Sequence, residues 1–139
     1  MTATSLHASC VAVDDRAVLI LGPSGSGKSS LALRLIACGA TLVADDRTDL
    51  FLRDGRLMAR CPEPLQGMIE ARGLGVLKAS TLTEAEVALV VDLSKIESER
   101  LPPSRSVEFL GVTCDLVHGS PHDHFPAGVL CYLKHGRQA

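Results

Sequence analysis

A strand, a glycine loop and a helix in immediate succession constrain this chain more than any other feature. "AVLILG" (Ala17–Gly22) is a continuous apolar run, "GPSGSGKSS" follows over residues 22–30, and Leu31, Leu35 and Ile36 recur at helical spacing before Gly39. An unbroken apolar run fits a strand buried on both faces. A glycine just past a periodic segment stops a helix. The loop satisfies GxxxxGK[ST] through Gly22, Gly27, Lys28 and Ser29, with Gly25 inside it. Glycines let the backbone curl so that several N–H groups face inward toward phosphate oxygens. The helix beginning near Lys28 adds the positive end of its dipole. The lysine ammonium reaches β/γ-phosphates and the Ser29 hydroxyl can ligate Mg²⁺. The predicted phosphate site is therefore Gly22, Pro23, Ser24, Gly25, Ser26, Gly27, Lys28, Ser29 and Ser30.

Two aspartates, Asp45 and Asp46, follow the apolar "TLVA" only 17 residues after Lys28. A strand end is a common place for reacting groups in α/β proteins. Neighbours on a strand point to opposite faces, so the expectation is one carboxylate facing the phosphate loop and the other pairing elsewhere. A carboxylate beside a γ-phosphate can act as general base on an acceptor hydroxyl. "VALVVDL" offers a competitor, since Asp92 ends an ordinary Walker B-like strand. Spacing alone leaves both readings open.

The rest of the chain reads as a mixed α/β pattern. "SCVAV" (Ser9–Val13), a turn at Asp14–Arg16 and the run to Gly22 form a hairpin. Asp54-Gly55 between "DLFLR" and "RLMAR" is a strong hairpin signal. "CPEPLQGMIEARGLG" reads as loop, and "AEVALVVDL" (Ala85–Leu93) as a buried strand. "SKIESERLPPSR" reads as solvated. Val107–Val117 has strand character with a break at Gly111, "HGSPHDHFPAG" reads as irregular, and "VLCYLKHG" as a short strand or helix. His118, His122, Asp123 and His124 do not have the spacing of a regular metal-ligand array.

Composition narrows the class. Across 139 residues, 46% are hydrophobic and there is no Trp, so a core exists and must be aliphatic. A formal net charge of −2 gives no basic face for nucleic acid. Five cysteines, at 10, 38, 61, 114 and 131, include no CxxC pair. They read as buried free thiols of a cytoplasmic protein. No apolar run approaches membrane-spanning length.

"LHAS", "GPSGSGKS", "LVADDR" and "IEARGLG" occur in this order and at these distances. Together they resemble HPr kinase/phosphorylase, the bacterial enzyme that phosphorylates a serine of the phosphocarrier protein HPr. The resemblance runs over roughly residues 5–115. It implies an α/β fold, a P-loop kinase domain of the phosphoenolpyruvate carboxykinase-like type, with a mixed central sheet and few helices. It implies ATP and Mg²⁺ as cofactors and HPr as partner. By the same resemblance Asp46 is the general base and His7 its histidine partner. Lys28 is the phosphate-loop lysine, Ser29 and Glu70 are the Mg²⁺ ligands, and Arg100 in "ERLP" is an active-site arginine.

The chain departs from the family pattern in three places. Ala8 stands where the family usually carries Gly. His7 lies near the start, so the expected form is the catalytic domain alone, residues 1–139. The region of the family's proline–arginine–glycine–arginine stretch, linked to dephosphorylation, reads "DLVHGSPHDHFPAG". The reverse phosphorylase reaction is therefore expected to be weak or absent. The family's C-terminal helix contributes to a hexamer, which leaves homo-oligomerisation open here. The alternatives to a kinase of HPr are a P-loop kinase of a small molecule or another protein, and a nucleotide-binding regulatory module.

Overall fold

The computed structural model describes residues 3–62 and 66–139. In chain order the elements are β1 (Ala3–Leu6), β2 (Ser9–Val13), β3 (Arg16–Leu21), α1 (Lys28–Ala37), β4 (Thr41–Ala44), β5 (Thr48–Arg53), β6 (Arg56–Arg60), β7 (Met68–Ala71), β8 (Gly75–Lys78), β9 (Glu84–Ile96), β10 (Arg105–Phe109), β11 (Val112–Gly119) and α2 (Phe125–His135). A nine-stranded mixed sheet runs β1-β5-β6-β9-β3-β2-β4, with the β10–β11 hairpin joined to β9. β7 and β8 make a separate two-stranded sheet.

The apolar run of β3 is buried because the sheet is covered on both faces. Val18 and Ile20 point to the face that carries α1 and α2, where they meet Leu31, Leu35, Val129 and Leu133. Ala17 and Leu19 point to the other face, filled by Leu50, Leu57, Ala59 and Val90 from the sheet itself. A curled sheet that covers one of its own faces needs few helices, and the only helices among the described residues are α1 and α2. β3 lies between β2, antiparallel to it, and β9, parallel to it. The phosphate loop thus leaves the sheet from one of its most enclosed strands.

Turn chemistry follows the sequence. Asp54 and Gly55 take φ of 52° and 76°, the left-handed pair that a tight two-residue hairpin requires. Asp14 and Asp15 do the same between β2 and β3. Leu110 and Gly111 separate β10 from β11, two antiparallel strands divided at the break expected at Gly111.

Four expectations are corrected. β1 pairs with β5 and was not anticipated. β9 extends to Ile96, into the stretch read as solvated. "MIEA" and "GVLK" form a hairpin rather than loop, because Ile69 is buried beneath α1 while its neighbours face outward. Glu63, Pro64 and Leu65 of that same stretch lie outside the described residues. Last, α2 begins at Phe125 inside the segment read as irregular, while His118 already belongs to β11. Pro126 sits in the first turn of α2, where its missing N–H costs nothing.

Leu89 is fully buried in β9 against the helical face. Leu89→Ala should lower unfolding free energy by about 2–5 kcal/mol, the range for a buried Leu truncated in a packed core. A urea titration reads this as a lower midpoint with an unchanged slope.

Candidate active site

Gly22 through Ser30 wrap from the end of β3 into α1. Gly27 caps the helix with φ of 100°, and its carbonyl accepts the Leu31 amide at 2.9 Å. Gly22 is needed for close approach, since a Cβ there would lie 2.4 Å from Ser26 Oγ. The Ser26 hydroxyl is buried with no hydrogen-bond partner among the described residues. The Lys28 ammonium is also buried, and it donates to the carbonyls of Gly22 at 2.7 Å and Pro23 at 3.1 Å. These two bonds fix a positive charge inside the curl of the loop.

Asp45 is the centre of the site's polar network. Its Oδ1 accepts from the hydroxyls of Ser29 and Ser9, each at 2.7 Å, and its Oδ2 accepts the Glu70 amide at 3.2 Å. The carboxylate is 7% exposed. A buried carboxylate needs such donors to offset its lost hydration. The Ser29 hydroxyl is thereby oriented by a carboxylate just past the end of β4.

Asp46 departs from the expected alternation. β4 ends at Ala44, and Asp46 has φ of 68°. Left-handed geometry, which Asp tolerates better than most residues, breaks the period-two rule. Both carboxylates therefore line one cleft rather than opposite faces of the sheet, yet the expected division holds, with Asp45 on Ser29 of the phosphate loop and Asp46 paired elsewhere, with His7. Asp46 Oδ1 lies 2.9 Å from His7 Nε2, and both side chains are open to solvent. Arg47 donates to the Ser5 hydroxyl at 3.2 Å, which ties this corner to β1.

The cleft holds about 930 Å³. His7, Lys28, Ser29, Asp45, Asp46 and Glu70 line it, together with Ser24, Gly25, Gly27 and Ser30 of the loop. The structure thus brings together residues from β1's end, the loop, β4's end and β7. Arg72 also lines it, from the turn between β7 and β8. Arg100 does not line the cleft and lies in the exposed segment between β9 and β10. Asp92 does not line it either. Its Oδ1 is occupied by the Ser94 amide at 2.9 Å and the Ser94 hydroxyl at 2.6 Å. Burial works to raise the pKa of Asp92, but the two Ser94 bonds, Lys95 and His118 outweigh it and hold the group below its ordinary value.

Sequence reasoning weighed Asp46 against Asp92 for the place beside Ser29, and the residue found there is Asp45. Asp45, its donor Ser9 and the cleft-lining Arg72 are residues it did not assign to the site. The signal for Asp45 was its adjacency to Asp46. Nothing in the string "ADD" reports that the backbone turns left-handed at the second carboxylate.

The oxygen donors suit a hard divalent cation. Ser29, Asp45 and Glu70 offer hydroxyl and carboxylate oxygens, and no cage of three or more His, Cys, Asp or Glu occurs among the described residues. Mg²⁺ is bound in that way, through one or two protein oxygens plus phosphates and waters.

A curled mixed sheet with a strand–loop–helix phosphate cradle defines a P-loop kinase fold of the phosphoenolpyruvate carboxykinase-like type. The family model "HPr Serine kinase C-terminal domain" matches residues 1–113, and the chain belongs to that family. It is 43% identical over 95 residues to the HPr kinase/phosphorylase of Clostridium beijerinckii, covering 63% of this chain and 32% of that protein. It is 42% identical over 113 residues to that of Cupriavidus necator, covering 72% and 35%. The chain thus spans about a third of the length of these relatives. The solved structure of the Hpr(Ser) kinase/phosphatase from Coxiella burnetii superposes with a TM-score of 0.75 at 26% identity, over 91% of this chain and 85% of that one. No helix among the described residues is long and apolar enough to cross a membrane.

Ser9→Ala removes one of three donors to a buried carboxylate. It should cost about 1–3 kcal/mol of stability, as for a buried charge left short of a partner. Paired denaturation curves of the variant and the parent protein check this.

Proposed function

We propose that residues 1–139 form one catalytic domain, a cytoplasmic ATP- and Mg²⁺-dependent serine kinase whose protein substrate is HPr. The observation that carries this reading is the Asp46–His7 pair, 2.9 Å apart at the open side of the cleft that contains the phosphate loop. An acceptor hydroxyl needs a base that is reachable from solvent, and Asp46 is reachable. The family membership supplies the protein substrate, since the relatives carry HPr in their names.

Each residue then has a physical task. Glycine-loop amides and Lys28 bind and orient the triphosphate, with Lys28 exchanging its two carbonyl partners for phosphate oxygens. Ser29 and Glu70 are the residues that would hold Mg²⁺, and Asp45 orients the Ser29 hydroxyl from behind. The metal supplies charge neutralisation on the β- and γ-oxygens when bound. Asp46 takes the proton from the serine hydroxyl as its oxygen attacks, and His7 fixes the carboxylate in position by hydrogen bonding. Phosphoryl transfer asks little covalent work of the protein, so positioning and charge carry most of the rate. Arg100 is retained as an active-site arginine on the family pattern alone. Reversal, with phosphate attacking phosphoserine, uses the same groups, and it is proposed to be weak because the arginine-bearing stretch is missing.

Labelled ATP and HPr test the reading. Asp46→Asn should reduce transfer at least a hundredfold, the lower end for loss of a general base, while nucleotide binding stays within twofold of the parent. Asp92→Asn should leave transfer within about threefold, because Asp92 is engaged by Ser94 outside the cleft. Transfer lost in Asp92→Asn and kept in Asp46→Asn would replace this assignment with a conventional Walker B one. Chelation of divalent metal should stop transfer and restore it on Mg²⁺ addition. Label found on a small molecule and never on HPr would assign a different acceptor.

A further inference from the structure

The five cysteines fall into two groups. Cys10, Cys61 and Cys114 are buried within the sheet core. Burial pushes all three thiols up in pKa, away from the thiolate that reacts. Cys38 and Cys131 are exposed, contrary to the expectation of uniformly buried thiols. They are 93 positions apart in the chain (131 − 38), yet both line one open cleft of about 320 Å³ with Ala127, Leu130, Lys134 and His135.

Both sit on firmly bonded backbone. Cys38 caps α1, and its amide is shared between the carbonyls of Arg34 at 3.2 Å and Leu35 at 3.1 Å. Cys131 lies mid-helix in α2, on a stripe with Ala127 and Lys134 at helical spacing. The two helices share one core layer through Leu35, Leu130 and Leu133. Lys134 and His135 complete the polar part of the cleft lining.

We propose that Cys38 and Cys131 form a reactive thiol pair that takes a low-molecular-weight disulfide as its reactant and closes into an intramolecular bond between α1 and α2. The thiolate of one cysteine attacks a sulfur of the reactant. The reactant's S–S bond breaks, one thiol leaves, and a mixed disulfide forms. The second cysteine, losing its proton, attacks the protein sulfur of that mixed disulfide and releases the second thiol. Two cysteine thiols are oxidised to one disulfide, the reactant disulfide is reduced to two thiols, and both protons end on the released thiols. The bond closes at the end of α1 opposite Lys28, about 15 Å away along the helix. It therefore restrains the helix pair without reaching the phosphate loop.

The test treats the native full chain with oxidised glutathione, alkylates the remaining thiols, and maps linkages by tandem mass spectrometry. The expected product is monomeric and carries a Cys38–Cys131 bond that dithiothreitol reverses, with Cys10, Cys61 and Cys114 alkylated only after unfolding. Its Tm should exceed that of the reduced protein by about 5 °C or more. C131S and C38S should each stop at a mixed disulfide with glutathione and show no such rise. ADP affinity should stay within twofold between the oxidised and reduced forms. Two separate glutathione adducts, a bond to Cys114, or a disulfide-linked dimer in place of the intramolecular bond would each overturn the proposal.

Discussion

One buried carboxylate joins the parts of this protein that have to agree. Asp45 accepts from Ser9 on β2, from Ser29 in the first turn of α1, and from the backbone of β7. Those three elements come from separate stretches of chain, and among the described residues no other side chain hydrogen-bonds to all of them. A carboxylate at 7% exposure is stable only when its lone pairs are occupied. The three donors must arrive together, so the helix that carries Lys28, the strand next to the phosphate-loop strand, and the hairpin that carries Glu70 are held in one register.

That register separates two roles that a single pair of letters conceals. Asp45 faces inward and works through the Ser29 hydroxyl. Asp46 faces outward, meets His7, and stays open to solvent. Adjacent residues of one type reach different environments within the same cleft because the backbone changes hand between them. Environment, rather than residue type, sorts neighbouring carboxylates into structural anchor and reacting group.

Much of the fold was legible because its signals are local. The loop between β3 and α1, the Asp54-Gly55 turn and the apolar runs of β3 and β9 each declare themselves within a few residues. What was not legible depends on distant partners. β1 is a strand only because β5 offers it an edge. The β7–β8 hairpin is held by Ile69 packing under α1, and its glycines and neighbouring prolines gave a loop-like composition. Pro126 reads as a breaker until its place in the first turn of a helix is known. In the site, the loop and the His7–Asp46 pair were anticipated from the motifs. The place of Asp45 was not, since it follows from a left-handed residue that sequence does not mark.

The pairing of β3 has a further consequence, for the order in which the chain can become organised. β2 and β4 are synthesised close to β3, but its parallel neighbour is β9, Glu84–Ile96. The glycine loop therefore emerges long before the strand that completes the bed beneath it. Closing so long a segment is entropically slow compared with forming a hairpin. The phosphate cradle is written well before β9, and its bed is complete only when β9 docks. Until β9 docks, the strand leading into the loop has a bare edge and an uncovered apolar flank, the condition under which nascent chains recruit help or aggregate.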